Sequence, residues 1–273
     1  MPYRVITPPA AEPLHLDEVK AQLRIQHDTE DVLLAGFLTS ARQQWEEIAG
    51  RALIAQTVVV TLAAFPAGYQ TYSDWENGCS AIVLPRSPTL AVSAITYVDS
   101  NGDSQTLPSS DYVLDSFIEP NLLLVNYGSS WPSARYQPNS VQITYKTGYS
   151  TPFTVTDLTN NIVTFAGRAP VSNEVLRLWN SGGSLPTGLS PLTDYYVVNV
   201  SGQTCKLSLT SGGTAIDITD AGEGLHYAGE IPRPILNELV LWVGDLNNNR
   251  EGMAVHAPKF MVSHQYRIYG ALP

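Results

Sequence analysis

The sequence has little charge, and most of the charge it has is negative. Charged residues make up only 15% of the chain and hydrophobic residues 44%, a balance that excludes a wholly disordered chain and supplies a core. There are 15 Lys and Arg against 25 Asp and Glu, so the formal net charge is −10. No basic stripe offsets this surplus. The chain therefore lacks the surface that a protein needs to hold phosphate backbones.

Cysteines and long apolar runs are also scarce. Cys79 and Cys205 lie too far apart to form a cysteine-based metal motif, and they indicate free thiols in a reducing compartment. No apolar run approaches the ~18 residues of a membrane span. No basic start followed by an apolar stretch is visible, so we expect neither a secretion signal nor a membrane partner. The 273 residues favour about two domains.

Helical periodicity appears near both ends of the chain. The Pro-rich residues 1–13, which precede the first helix, are predicted to be irregular. A short first helix is predicted from apolar residues at Leu16, Val19 and Leu23. A long second helix follows from a stripe at intervals of three to four residues, formed by Leu34, Phe37 or Leu38, Ala41, Trp45 and Ile48. A third helix begins at 231, where Pro232 and Pro234 are tolerated.

Between these helices the pattern is that of short strands. Residues 55–150 predict a compact β region, and Asn101-Gly102 is a strong hairpin signal. Residues 152–229 continue with strands and Gly-rich turns, including the predicted strand TAIDITD at 214–220. The predicted fold is α+β. It comprises a small bundle of two N-terminal helices and a C-terminal helix, an intervening β region, and an inserted antiparallel β-sandwich or barrel-like domain.

The stretch RIQHDTEDVLL, residues 24–34, looks at first like a chemical site. Asp28 stands where the N-cap of the second helix is expected, with Asp31 at the third helical position and Gly50 as the C-cap. Glu30 and Asp31 would point about 100° apart on a helix and so do not converge on one ion. Capping therefore explains the cluster better than a metal site, and His27 should be exposed beside the cap.

The remaining candidate residues form no recognisable catalytic pattern. Glu46 and Glu47 are adjacent on the long helix and are predicted to be a solvated face. His226, His256 and His264 have no nucleophile context, and the chain contains neither a G-x-S-x-G motif nor a P-loop. We therefore expect a protein that is not an enzyme and that uses no metal or cofactor.

Several ordered phrases resemble the head–tail connector, or adaptor, proteins of long-tailed bacteriophages. They are PLHLDEVKAQLRIQHDTEDVLLAGFLTSARQQWEEIAGRALIAQT (13–57), LPRSPTLAVSAITYVDSNGDSQTL (84–107), PNSVQITYKTGY (138–149) and the last helix (231–252). Two features depart from the family. His15 stands where Thr or Ser is usual, and residues 152–229 interrupt the pattern. This insert is similar to a β module that recurs in phage virion proteins.

The resemblance implies a structural protein of the virion neck, made in the host cytoplasm. It implies a ring, usually a dodecamer, beneath the portal protein. Such a ring would extend the DNA channel without binding DNA specifically and would be a platform for the next neck or head-completion (stopper) protein. The family's C-terminal arm reaches the portal. By carry-over, the arm residues here are Phe260, Met261, Val262, Tyr266, Ile268 and Tyr269.

The expected division of the chain has four parts. Residues 14–54 with 230–250 form the helical adaptor core, 55–150 the β region, 152–229 the inserted domain, pointing outward from the ring, and 251–273 the extended arm. Two alternatives stay open. The insert could recognise a host glycan or protein, which exposure of Trp179, Tyr195 and Tyr196 would favour. The β region could instead hold a pair of hydrolytic carboxylates.

Overall fold

The computed structural model describes residues 2–66, 81–191 and 193–249. Within these ranges three α helices accompany antiparallel sheets, so the predicted α+β class is confirmed. The helices are α1 (Leu16–Leu23), α2 (Asp31–Ala49) and α3 (Arg233–Asn248). The strands are β1 (Tyr3–Thr7), β2 (Gln56–Leu62), β3 (Ile82–Val83), β4 (Thr89–Val98), β5 (Ser104–Thr106), β6 (Tyr112–Asp115), β7 (Leu122–Val125), β8 (Val141–Thr147), β9 (Thr151–Asp157), β10 (Ile162–Phe165), β11 (Val175–Ser181), β12 (Asp194–Ser201), β13 (Thr204–Ser208) and β14 (Leu225–Ala228).

The three helices share one apolar core. The periodic stripe of α2 is buried, with Leu34, Ala41 and Trp45 fully inaccessible to water. It packs against Trp242 and its apolar neighbours on α3. Each such side chain contributes roughly 1.5–3 kcal/mol by leaving water. The Trp45 indole N–H donates to the Glu238 carboxylate at 2.8 Å, so its polar atom is also satisfied.

A five-stranded antiparallel sheet in the order β1-β2-β8-β4-β5 carries the second core, and β3, β7 and β6 form a smaller sheet beside it. The expectation that residues 1–13 are irregular is wrong at Tyr3–Thr7, because this segment pairs with β2 and forms the edge of the sheet. The hairpin predicted at Asn101-Gly102 joins β4 to β5. Gly102 has a φ of +99° there, a value that glycine adopts without strain.

Residues 151–228 close into a six-stranded antiparallel barrel in the order β10-β13-β12-β11-β14-β9. Its interior forms a third core around Phe153, Phe165 and Leu178. The strand predicted at 214–220 is absent from this described stretch, so that prediction is wrong. Its Ile218 is nevertheless buried, with its backbone N–H donating to Asn161 Oδ1 at 2.8 Å.

The first and last strands of the barrel lie next to each other where the barrel joins the rest of the chain. Thr151 on β9 pairs with Ala228 on β14. Ser150, the residue before Thr151, forms a β-bridge with Ile54, just after α2. The two ends of the barrel therefore lie side by side where it joins the rest of the chain. None of the helices in residues 2–66, 81–191 and 193–249 combines the length and the apolarity that crossing a bilayer requires.

Candidate assembly site

The barrel is fixed to the helical core through two stacked aromatic rings. The rings of Trp179 and Tyr227 lie 4.4 Å apart between centroids and are inclined by 19°. The Trp179 indole N–H donates to the Gly229 carbonyl at 2.7 Å and to Ser150 Oγ at 3.0 Å. The Tyr227 hydroxyl donates to the Glu12 carbonyl, and burial raises the pKa of this hydroxyl above its usual value. Both polar atoms are satisfied, as buried groups require.

A second attachment joins the end of β11 to the start of α1. The His15 backbone N–H donates to Ser181 Oγ at 2.6 Å, and this hydroxyl donates to Glu18 Oε2 at 2.6 Å. Beside them Gly182 has a φ of +77°, and a Cβ on it would stand 2.2 Å from a carbon of the His15 ring. His15 is also the N-cap of α1, with Nδ1 accepting from the Asp17 N–H at 3.3 Å. Two attachments of this kind hold the barrel in one orientation.

The aromatic residues whose exposure would favour a ligand-binding insert are buried or half-buried. Tyr195 is only 2% exposed, and its hydroxyl accepts from the Ser190 N–H at 2.7 Å. Trp179 is half-buried against Tyr227. Tyr196, the next residue on β12, points to the opposite face and is half-buried. Only part of this set is therefore open to a ligand.

The acidic cluster at 28–31 does not cap α2 in the predicted way. The N-cap position is Glu30, whose side chain makes no capping hydrogen bond, and Asp31 is the first residue of the helix. Asp28 and Asp31 instead hold the amine of Lys20, with Nζ 2.5 Å from Asp28 Oδ1 and 2.8 Å from Asp31 Oδ1. The hydrogen bond from Lys20 lowers the pKa of Asp28.

The capping prediction for Asp28 and Asp31 is wrong because α2 begins at Asp31 with Glu30 at the N-cap, and both carboxylates pair with Lys20, eight residues before Asp28. His27 is exposed, with Nδ1 2.9 Å from Thr29 Oγ1. At the other end Gly50 is the C-cap of α2, with a φ of +66° and its N–H directed at the Glu46 carbonyl. The arm residues Phe260, Met261, Val262, Tyr266, Ile268 and Tyr269 lie outside the described residues.

The prediction that Glu46 lies on a solvated face is wrong, because its side chain is buried. Its side chain is 2% exposed and accepts from Arg42 at 3.0 Å, Arg86 at 3.3 Å and the Leu53 N–H at 2.8 Å. Burial raises the pKa of Glu46, and the charge of Arg42 acts in the opposite direction. The signal available in the sequence was the i, i+4 spacing of Arg42 and Glu46.

The ion pairs around Glu46 join three parts of the chain. Arg42 Nε also contacts Glu12 Oε2 at 2.7 Å. Arg86 reaches Glu47 Oε2 at 2.6 Å, and its Nε donates to the Tyr3 hydroxyl at 3.1 Å. Close carboxylates do occur here, but each is paired with an arginine. Among the described residues no group of three or more His, Cys, Asp or Glu could hold a metal ion.

The first turn of α2 leaves apolar surface uncovered. Val32 is 90% exposed and Leu33 is 40% exposed. In the next turn a Cβ on Gly36 would meet no atom of the described residues within 4 Å. We refer to Val32, Leu33 and Gly36 as the α2 patch. The patch therefore combines two exposed aliphatic side chains with a glycine that has open space in front of it.

Comparison with known protein families gives a match over residues 13–103, to the family described as phage gp6-like head-tail connector protein. The predicted resemblance to head–tail connectors is thereby confirmed over this stretch, which contains α1, α2, β2, β3 and β4. It also contains the Lys20 and Glu46 ion pairs and the α2 patch. No curated protein matches the chain.

Solved particles of gene transfer agents (GTA) contain chains similar to this one. The neck of an empty GTA particle computed with C6 symmetry and the virion of a native GTA particle each give a TM-score of 0.43 at 21% identity, covering 55% of this chain and 72% of theirs. The neck of a native GTA particle computed with C12 symmetry gives 0.38 at 22% identity, covering 55% and 70%. At TM-scores this low the likeness decides neither the fold nor the role of the chain.

Proposed function

We propose that this chain, whose residues 13–103 match the head–tail connector family, is a structural part of a bacteriophage neck. In this proposal its copies form a ring, twelve-fold in the family's usual manner, beneath the portal protein. The ring extends the DNA channel and is the platform on which the next neck or stopper protein docks. The family match over α1, α2 and β2 to β4 is the observation that carries the proposal.

The α2 patch supports assembly into a ring. Contacts around a ring are head-to-tail, so each subunit needs an exposed surface complementary to a different surface of its neighbour. Val32 and Leu33 are exposed aliphatic residues on a helix that is otherwise held firmly by α3 and the sheet. The net charge of −10 suits a channel wall that DNA must pass without being retained.

The division of the chain that we propose follows its three apolar cores. The helical core uses residues 14–54 and 230–250, the β region 55–150 and the inserted domain 152–229, while 251–273 forms the arm. The two attachments at Trp179 and Ser181 keep the barrel in one orientation. We place it on the outside of the ring, because the inner wall and both axial faces are needed for DNA and neighbouring neck proteins.

The portal contact is assigned to the apolar arm, residues 260–269. Native mass spectrometry of the chain, with and without its portal protein, tests both assembly and docking. Serine in place of the six apolar arm residues should abolish docking. Losing the burial of two of them alone would remove about 3 kcal/mol, or more than a hundredfold in affinity. The circular dichroism of the chain should stay unchanged.

A matched control changes polar residues of the same segment, Ser263→Ala and Gln265→Ala, and should dock as the wild type does. A wild-type chain that stays monomeric and ignores the portal would contradict the connector proposal. Docking that survives the six serine substitutions would contradict the assignment of the arm while leaving the connector role standing.

A further inference from the structure

A groove of about 380 Å³ separates the barrel from the start of α3. Trp179 and Pro191 line it on the barrel side, and Ile231 and Leu236 line it on the helix side. Most of its lining is apolar. A groove of this size and character lies in the range that accepts a few large apolar side chains. It opens next to the attachment formed by Trp179 and Tyr227, so its walls are held in place.

The charges at the rim of the groove indicate which charge a segment bound there should carry. Arg177 Nε lies 2.6 Å from Asp194 Oδ1, and Arg233 lies 3.7 Å from Glu18 Oε1, so both cations already face a carboxylate. Glu230 is exposed at the same rim and acts on Arg177 through its charge. A segment that is apolar and carries a cation at its edge would match this arrangement.

We propose that the arm of the same chain, residues 259–269, occupies this groove in the free subunit. Phe260, Met261 and Val262 are three consecutive apolar residues, and Lys259 directly precedes them. These side chains have the chemistry that the groove accepts, and the lysine can approach Glu230. The same residues are thus shielded from water before assembly and become available when a partner competes for them.

The length of the chain permits this contact. Leu236 lies 12 residues before the end of α3 at Asn248, a distance of about 18 Å along a helix axis. Residues 249–259 can span about 36 Å when extended. The tether also keeps the effective concentration of the arm on the order of millimolar, far above that of arms from other copies in a dilute solution. The subunit's own arm is therefore the favoured occupant.

The test uses the full chain without portal. Phe260 is replaced by p-benzoyl-phenylalanine, the sample is irradiated at two concentrations, and the adducts are mapped by mass spectrometry. We expect adducts at monomer mass on residues 177–191 and 230–236, with a yield unchanged by roughly hundredfold dilution, because the contact is intramolecular. Glu230→Lys should lower the yield about threefold, the effect of one exposed charge pair.

Glu223→Lys is the matched control, because Glu223 is an exposed carboxylate that does not line the groove, and the yield of this variant should equal that of the parent chain. Adducts that join two subunits, or that disappear on dilution, would overturn the proposal in favour of a second copy. Adducts away from the groove, no adduct, or equal loss in both lysine variants would also overturn it. None of these results involves the portal, so the connector proposal is decided separately.

Discussion

Neutralising the buried carboxylate of Glu46 should destabilise the chain more than its position on a helix surface would suggest. In Glu46→Gln the side chain keeps nearly the same volume. Its carbonyl can still accept from the Leu53 N–H, which lies 2.8 Å from the Glu46 carboxylate in the wild type. The new amide group, however, presents hydrogens where Arg42 and Arg86 donate. Two buried guanidinium groups then lose a shared counter-charge, and this loss outweighs the relief from desolvation, which is what raises the pKa of Glu46.

The size of the effect follows from the partners that remain. Removing one member of a buried ion pair costs about 3–5 kcal/mol when the other charge is left bare. Here Arg42 keeps Glu12 and Arg86 keeps Glu47, so neither charge is fully uncompensated. We therefore expect a loss near the lower limit, about 3 kcal/mol in the free energy of unfolding. For a chain of 273 residues that lowers Tm by about 5 °C.

Urea unfolding, followed by circular dichroism and tryptophan fluorescence, measures this loss. Glu47→Gln is the matched control, because Glu47 is adjacent and also contacts Arg86, at 2.6 Å, but its side chain is 62% exposed. An exposed pair of this kind contributes less than about 1 kcal/mol. Equal losses in Glu46→Gln and Glu47→Gln would refute the reasoning, since burial would then make no difference.

Two further predictions concern the barrel. Gly182→Ala should destabilise the chain by several kcal/mol, because the new Cβ would overlap the His15 ring. Gly167→Ala is the control: its φ is a similar +80° but its Cβ would lie in open space, so it should cost only ~1–2 kcal/mol. Thermal melts compare the two variants, and equal shifts in Tm would contradict the contact between Gly182 and His15. Burial lowers the pKa of His226, so the folded barrel favours the neutral ring. The unfolded chain then binds more protons, and stability should be complete above about pH 6.5 and fall below it by at most ~1.4 kcal/mol per pH unit. Urea midpoints at several pH values test this, and His226→Gln should flatten the curve; an identical acid loss in both proteins would contradict the assignment.

The helices and most strands could be predicted from the sequence because their signals are local. The stripe Leu34, Ala41 and Trp45 has the period of a helix, and its members are fully buried. The Asn101-Gly102 turn likewise joins two strands as its residue types indicate. In such segments the residues that determine the conformation are neighbours in sequence. The family resemblance rests on the same stretches of chain.

The errors arise where the deciding partner lies outside the helix or strand whose local pattern was used for the prediction. Tyr3–Thr7 looks irregular but is a strand because β2, more than fifty residues later, offers a free edge. Asp28 and Asp31 are residue types that commonly cap helices, yet both carboxylates pair with the amine of Lys20. Glu46 is buried because the chain around Leu53 and Arg86 folds over it.

By itself the sequence determined the helix pair, the α+β class and the resemblance to connectors. These depend on hydrophobic period, turn residues and ordered phrases. Only the tertiary structure decided that the insert closes into a barrel, that Trp179 and Ser181 attach it to the helices, and that a groove lies beneath it. Barrel closure and attachment require contacts between residues as distant as His15 and Ser181, which no local pattern specifies.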